Sequence, residues 1–173
     1  MWDLSGFGNG RDGELTGFEL SFTGRLDNYM EGFLSGFGVE ANLTSASSEY
    51  TLPSGARLQL PGQSDLTYNF SVFYEDHGLS ARLSYRFRDA WLDETESAGV
   101  FGLAEGVYWD EQTRLDLSVR YDLEQLIGYR ASVFLNMNNI TDETDVRYTA
   151  KAWNPNQVES YGRRYLVGFR FSL

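Results

Sequence analysis

Cysteine is absent from this chain, proline occurs only three times, histidine occurs once, and no run of 18 apolar residues is present. Without cysteine the chain has no disulfide framework, no thiol chemistry and no zinc–thiolate site. Because the only histidine, His77, falls in a short connection, we expect no Ser–His hydrolase site, no enzyme activity, no metal and no cofactor. Without a long apolar run, no helix is predicted to span a membrane.

Basic residues are also scarce. Lysine and arginine number 14 against 25 aspartates and glutamates, which gives a formal net charge of -11. We expect no nucleic-acid partner, because no basic face could neutralise phosphates. Residues 1–8 have neither the basic nor the apolar region of a secretory signal. If the chain lies in an outer membrane, we expect it to be the C-terminal piece of a longer, exported polypeptide.

Alternation of apolar and polar residues is the dominant pattern that is present. In segment 79–88, for example, Leu83 and Tyr85 alternate with Arg82 and Ser84. A period of two indicates a β-strand with one apolar face. Seven segments are predicted as strands on this pattern: 14–26, 33–46, 66–74, 79–88, 108–121, 128–138 and 161–173.

The predicted strands have two regular features. Most are about ten residues or longer, which exceeds the usual strand of a soluble sheet and suffices to cross a bilayer at a tilt. Their connections also alternate between short and long, as in outer-membrane barrels. The short connections are 27–32, 75–78 and 122–127, and the long ones are 47–65, 89–107 and 139–160.

The two faces of these strands differ in chemistry. In a membrane barrel the apolar face meets lipid and the polar face lines the interior, whereas a soluble lipocalin-like barrel would place the apolar face inside. Strand length, loop alternation and the aromatic residues near both strand ends favour the membrane barrel. Many charges on the polar face favour a wide interior. They are Glu19, Arg25, Glu40, Arg82, Arg86, Arg88, Arg114, Asp116, Arg120, Arg130, Arg164 and Arg170. The aromatic residues near the ends are Tyr68, Tyr74, Phe87, Tyr108, Tyr121, Tyr129, Tyr165 and Phe171.

Three stretches resemble one family. The sequence Gly-Phe-Glu-Leu at 17–20 follows a glycine-containing loop, and Phe-Leu-Asn-Met-Asn-Asn-Ile-Thr-Asp at 134–142 is followed by Tyr148. The third, Gly-Arg-Arg-Tyr-Leu-Val-Gly-Phe-Arg-Phe, occupies 162–171. In order and spacing they resemble the C-terminal part of the β-barrel of TonB-dependent outer-membrane receptors. The chain departs from the family in ending on Leu173, where phenylalanine is most usual.

The resemblance implies an all-β fold, an antiparallel up-and-down transmembrane β-barrel segment that contributes about seven strands to a barrel of about 22. Residues 1–173 would then be one part of the barrel domain, in the outer membrane of a Gram-negative cell. Implied partners are membrane lipid, a plug and further barrel strands, the TonB complex through that plug, and the barrel-assembly machinery. The implied activity is energy-coupled uptake of a ferric siderophore, cobalamin or a glycan. The piece alone is not expected to transport.

Candidate ligand residues lie on the long connections and near the outer mouth. Aromatic side chains there could stack on a sugar or an aromatic chelator, or could instead pack loop on loop. The arginines could attract an anionic chelate, or could instead pair with carboxylates of the wall or plug. These candidates are Trp91, Phe101, Trp109, Tyr148, Trp153, Arg86, Arg88 and Arg114. A second set forms the predicted barrel-assembly signal of the last strand: Tyr165, Gly168, Phe169, Phe171 and Leu173.

Two other functions remain open on the sequence. A free-standing small outer-membrane barrel could act as a structural protein or adhesin. A passive porin would need a constricting loop inside the barrel, and the sequence has no obvious one. The acidic segment with Asp93, Glu94 and Glu96 is interpreted as a solvated loop rather than a cation site.

Overall fold

Almost all of the regular structure is β-strand in the computed structural model, which describes residues 12–52, 55–96 and 105–172. The only α-helix in these ranges is the single turn α1, Glu124–Ile127, and two 3-10 turns cover Leu26–Asn28 and Gly32–Gly36. No helix in the described ranges is long and apolar enough to cross a membrane. The strands are β1 Gly13–Arg25, β2 Phe37–Thr51, β3 Arg57–Leu58, β4 Leu66–Asp76, β5 Leu79–Arg88, β6 Trp91–Glu96, β7 Glu105–Trp109, β8 Gln112–Asp122, β9 Arg130–Asn138, β10 Asp145–Thr149, β11 Pro155–Glu159 and β12 Arg164–Ser172.

Seven long strands form one sheet, called here the main sheet. Its order is β1-β2-β4-β5-β8-β9-β12, and the two-residue strand β3 pairs with the end of β2. All six neighbouring pairs are antiparallel. The predicted all-β, antiparallel, up-and-down architecture is therefore confirmed. The same pairings make β1 and β12, which are the two outer strands, run in the same direction.

All three predicted long loops contain strands: residues 47–65 include the end of β2 and all of β3, and the other two loops contribute to a second sheet. Residues 89–107 include β6 and most of β7, and residues 139–160 include β10 and β11. These four form a second antiparallel sheet in the order β11-β10-β7-β6, called here the loop sheet. These two segments were predicted as long loops without strands, and the strands were missed because five- and six-residue strands are too short to show a clear period of two. For the same reason the predicted strand 108–121 is two strands, separated at Asp110 and Glu111.

At the start of the second strand, the structure differs from the prediction at a glycine. The second strand begins at Phe37 and not at residue 33, because Gly32 has φ 69° and opens a 3-10 turn. The hairpin between β4 and β5 matches the predicted tight turn. His77 and Gly78 both have positive φ, 47° and 78°, which is the backbone of the two-residue hairpin turn that follows the natural twist of strands. Asp76 accepts the backbone N–H of His77 at 2.8 Å.

One face of the main sheet is apolar across all seven strands and is exposed. Registered neighbours such as Leu83 and Leu117, or Val133 and Phe169, continue it from strand to strand. At the end with the short connections, Phe33 packs against Tyr74, which is only 8% exposed. Across the rest of the face, ten large side chains are between 41% and 75% exposed. These exposed residues are Phe18, Leu20, Phe22, Phe70, Leu83, Val133, Tyr165, Val167, Phe169 and Phe171.

The opposite face of the main sheet is polar and internally paired. Arg82 and Glu40 form an ion pair with a shortest N–O distance of 2.5 Å. Ser71 and Ser84, which are registered neighbours, share a hydrogen bond of 2.9 Å. The division between faces follows from the two-residue period of the strands. The buried apolar residues of the main sheet, within the described part of the chain, are Phe73, Tyr74 and Ala131.

Two phenylalanines interrupt the polar face, and each covers a glycine on the neighbouring strand. Phe73 is opposite Gly38, and Phe134 is opposite Gly168. A Cβ added to either glycine would come within 2.2 Å of the facing ring. Each glycine therefore makes room for an aromatic ring, which in turn shields the glycine backbone. Phe73 is buried, and the Arg82 guanidinium lies 4.9 Å from its ring centroid.

Candidate functional site

The candidate ligand residues converge at one end of the main sheet. The long connections β2–β4, β5–β8 and β9–β12 all leave this end, which we call the loop end. Gly62 in the first connection donates its N–H to the Leu92 carbonyl at 2.7 Å, so this connection continues the loop sheet beyond β6. Leu92 and Val107 are the most buried apolar side chains of the described chain. Seven of the eight candidates lie here: Trp91, Trp109, Tyr148, Trp153, Arg86, Arg88 and Arg114. The eighth, Phe101, lies outside the described residues.

An ion pair joins the two sheets. Arg114, at the start of β8, donates from Nη2 to both carboxylate oxygens of Asp145 on β10, at 2.5 and 2.6 Å. The side chains are only 19% and 9% exposed. Water therefore screens this pair less than the other ion pairs of the described chain. The contact fixes where the loop sheet stands on the main sheet.

Asn139, which directly follows β9, stabilises the same junction between the two sheets. Its backbone has φ 53°, a left-handed conformation that asparagine tolerates better than most residues. Its N–H donates to Asp116, its side-chain amide donates to the carbonyls of Glu143 and Gly162, and its side-chain oxygen accepts the N–H of Glu143. The segment 134–142 thus contains a residue whose side chain connects both sides of the last long connection.

Arg88 and Trp91 are in direct contact with each other. The guanidinium of Arg88 lies 3.6 Å from the centroid of the Trp91 ring, close enough for a cation–π interaction. The same guanidinium donates to the Ser64 hydroxyl at 2.9 Å and to the Gly62 carbonyl at 2.6 Å. Trp91 is 8% exposed. Both candidates are therefore engaged in contacts within the chain.

Trp109 lies between Trp91 and Arg147. Its ring is stacked at 6.3 Å from Trp91, and the Arg147 guanidinium is 6.0 Å from its centroid. Arg147 also hydrogen-bonds Glu94, and Asp93 at 2.7 Å, and these bonds raise its pKa. Two of the acidic residues interpreted from sequence as solvated thus bind an arginine. No cluster that could hold a metal ion occurs among the described residues.

Tyr148 stacks on Tyr108. The two ring centroids are 5.6 Å apart and nearly parallel, at 16°. Removal from water raises the pKa of both phenols, with further contributions from Asp110 to Tyr148 and from Tyr50 to Tyr108. The aromatic surface of Tyr148 is thus partly used in packing one strand on another.

Among the candidate aromatic residues that the structure describes, Trp153 is the one whose ring stacks on no other group. It lies in the turn between β10 and β11 and is 81% exposed. Of the predicted assembly signal, Tyr165, Phe169 and Phe171 are exposed on the apolar face. Gly168 makes room for Phe134 on the opposite face. Leu173 lies outside the described residues.

An open pocket of about 400 Å³ lies on the polar face at the loop end. Arg86 and Arg114 are registered neighbours on β5 and β8, and both line it. Its other side is formed by Asn138, Tyr161 and Arg164. Sequence reasoning did not include the last three among its ligand candidates. Their place follows from the β9–β12 register, which sets Arg164 opposite Asn138 and which alternation alone does not give.

Comparison of the chain with protein-family models, with curated proteins and with solved structures finds no match.

Proposed function

We propose that the chain is part of the barrel wall of an outer-membrane active-transport receptor of the TonB-dependent kind. The observation that carries the proposal is the apolar face, which continues across seven strands and exposes ten large apolar side chains. Exposed apolar patches on soluble monomers rarely exceed a few hundred Å². A bilayer covers such a face without any further protein element.

Strand length supports the same proposal. The seven strands of the main sheet contain between 9 and 15 residues. A tilted strand needs about 9 to 11 residues to cross the hydrocarbon layer. The connections also fit. At one end the strands are joined by residues 26–36 with two 3-10 turns, by the two-residue turn of His77 and Gly78, and by a segment containing α1, while the loop sheet stands at the other end.

The direction of the outer strands supports a larger barrel. Because β1 and β12 run the same way, pairing them directly would create a parallel seam. An all-antiparallel barrel needs an odd number of further strands between them, and about fifteen would complete a barrel of about 22. The ion-paired polar face suits a wide interior that holds water and a plug, because hydrated charges avoid the cost of burial.

In this proposal the loop end faces the outside and receives the ligand, and the wall contributes no catalytic step. Membrane lipid covers the apolar face, a plug occupies the interior and couples to TonB, and the assembly machinery reads β12. Exposed Trp153 favours stacking on a glycan, whereas the arginines at the loop end favour an anionic ferric chelate.

Uptake by cells tests this function. A strain that lacks the protein is compared with its parent for uptake of labelled ferric siderophores, cobalamin and oligosaccharides, with and without a protonophore. The proposal expects loss of one uptake activity that depends on the proton gradient. Unchanged uptake of all three classes, or an activity indifferent to the protonophore, would contradict it. Uptake by passive diffusion, which needs no proton gradient, is the internal control and should be the same in both strains.

A further inference from the structure

The pocket on the polar face is lined by two arginines without a close carboxylate partner, in a chain where carboxylates outnumber basic groups by 25 to 14. Five other described arginines, Arg25, Arg57, Arg82, Arg114 and Arg147, each have a carboxylate oxygen within 3.3 Å. The two arginines of the pocket differ from these five. Arg86 reaches its carboxylate partner, Asp116, only at 3.8 Å. Arg164 has no ion pair in the part of the chain that the structure describes, and its one hydrogen bond is a 3.5 Å contact with Asn138.

Asp116 does not neutralise both arginines. One of its oxygens already accepts the Asn139 N–H at 2.9 Å, and the other is the atom that faces Arg86. The third arginine of the lining, Arg114, already donates to both carboxylate oxygens of Asp145. Arg86 and Arg164 therefore present guanidinium groups to the same open space. The Asn138 amide also lines the pocket, as does Tyr161, whose hydroxyl donates to Glu159.

We propose that this pocket binds a small anion with two or more carboxylate or phosphate groups, held between Arg86 and Arg164. Guanidinium groups bind carboxylates and phosphates through paired, charge-assisted hydrogen bonds. The size of the pocket, about 400 Å³, falls in the range of small-ligand sites. The inference rests on the proposed function, because the polar face must line a water-filled interior for a solute to reach it.

Calorimetric titration of the full chain in detergent micelles tests the site, with citrate and inorganic phosphate as probes and acetate as the singly charged comparison. Citrate binding is expected, with acetate much weaker. Arg164→Gln and Arg86→Gln are each expected to lower citrate affinity about tenfold or more, since each removes one charge-assisted contact. Higher salt should weaken binding to the unmodified chain.

The matched control is Arg57→Gln, which removes the same charge from an arginine paired with Glu49 away from the pocket. It should bind citrate like the unmodified chain. Equal losses in the control and the pocket variants, or no loss in either pocket variant, would overturn the inference. The two proposals fail separately. Normal energy-coupled uptake without citrate binding overturns the pocket alone, and citrate binding without such uptake overturns the receptor function.

Discussion

Arg114 and Asp145 connect the two sheets through a two-oxygen ion pair that is largely shielded from water. Arg114 is the third residue of β8 in the main sheet, and Asp145, 31 positions later, is the first residue of β10 in the loop sheet. The backbone supports the contact, since Ile140 donates to the Leu115 carbonyl and Asp110 donates to the Val146 carbonyl, at 2.9 and 2.8 Å. The loop sheet is therefore an anchored part of the fold.

Removing one partner of this ion pair should loosen the loop sheet. Asp145→Asn leaves Arg114 partly buried without its counter-charge, and we expect a loss of about 2 kcal/mol in the free energy of unfolding. Hydrogen exchange should accelerate in β7 and β10 more than in β4 and β5. Glu49→Gln, which breaks the exposed pair with Arg57, is the control and should cost less than about 1 kcal/mol. Equal effects of the two substitutions would contradict the anchoring role.

The glycine of the last strand can be tested through its facing ring. Gly168→Val should destabilise the pairing of β9 with β12 by about 1 to 3 kcal/mol, because its side chain would overlap Phe134. Removing the ring in the double variant Gly168→Val, Phe134→Ala should recover part of that loss. The measurement is a double-mutant cycle on the free energy of unfolding.

Gly13→Ala is the matched control for this cycle, because the nearest atom to its added Cβ is 3.7 Å away. It should change stability little. Additive losses in the double variant would show that Gly168 and Phe134 are not coupled, and would leave the assembly signal as the explanation for the glycine.

Asn139 should not tolerate replacement by alanine. Asn139→Ala keeps the positive φ without the side-chain hydrogen bonds, and we expect a loss of about 2 kcal/mol. The Glu143 amide should exchange faster, since its acceptor is removed. Asp142→Gly changes a neighbouring residue that also has positive φ, 63°, and should be neutral or slightly stabilising. If both variants behave alike, the side-chain contacts of Asn139 contribute nothing.

Alkaline pH should weaken the loop sheet through its stacked tyrosines. Burial raises the pKa of Tyr108 and Tyr148 above the ordinary value of 10.0, so the folded state holds these protons more tightly than the unfolded state. Stability from this source is complete below pH 10.0 and is lost as pH rises through the raised values. Unfolding measured over this range, alongside phenolate absorbance, checks it. The double variant Tyr108→Phe, Tyr148→Phe should lose less stability over this range than the unmodified chain, and an equal loss in the two would contradict the assignment.

Sequence alone predicted the main sheet because its strands are long. Nine or more residues of alternation at 79–88 or 164–172 leave little ambiguity about which side chains share a face. The loop sheet escaped prediction because β7 and β10 have five residues each, and because Asp110 and Glu111 interrupt the alternation. Tertiary context, and not local pattern, makes these short segments strands.

The sequence predicted where the candidate site residues lie, but not which residues they contact. Alternation placed Arg86, Arg88 and Arg114 at the loop end. It gave no means of knowing that Arg88 packs on Trp91 or that Asp145 neutralises Arg114, because both contacts join the main sheet to the loop sheet. Arg164 entered the pocket only through the register between β9 and β12.

Spin labelling along β5 in lipid vesicles tests the central claim most directly, namely that the apolar face of the main sheet meets lipid. The absence of native cysteine makes each single-cysteine label unique. Labels at Ala81, Leu83 and Tyr85 should collide with oxygen dissolved in the lipid, and labels at Ser80, Arg82 and Ser84 should collide with a water-soluble nickel chelate. A two-residue period in opposite phases for the two reagents is the predicted result. Apolar positions shielded from both reagents, as in a soluble core, or equal access of the chelate to both faces, would contradict the account.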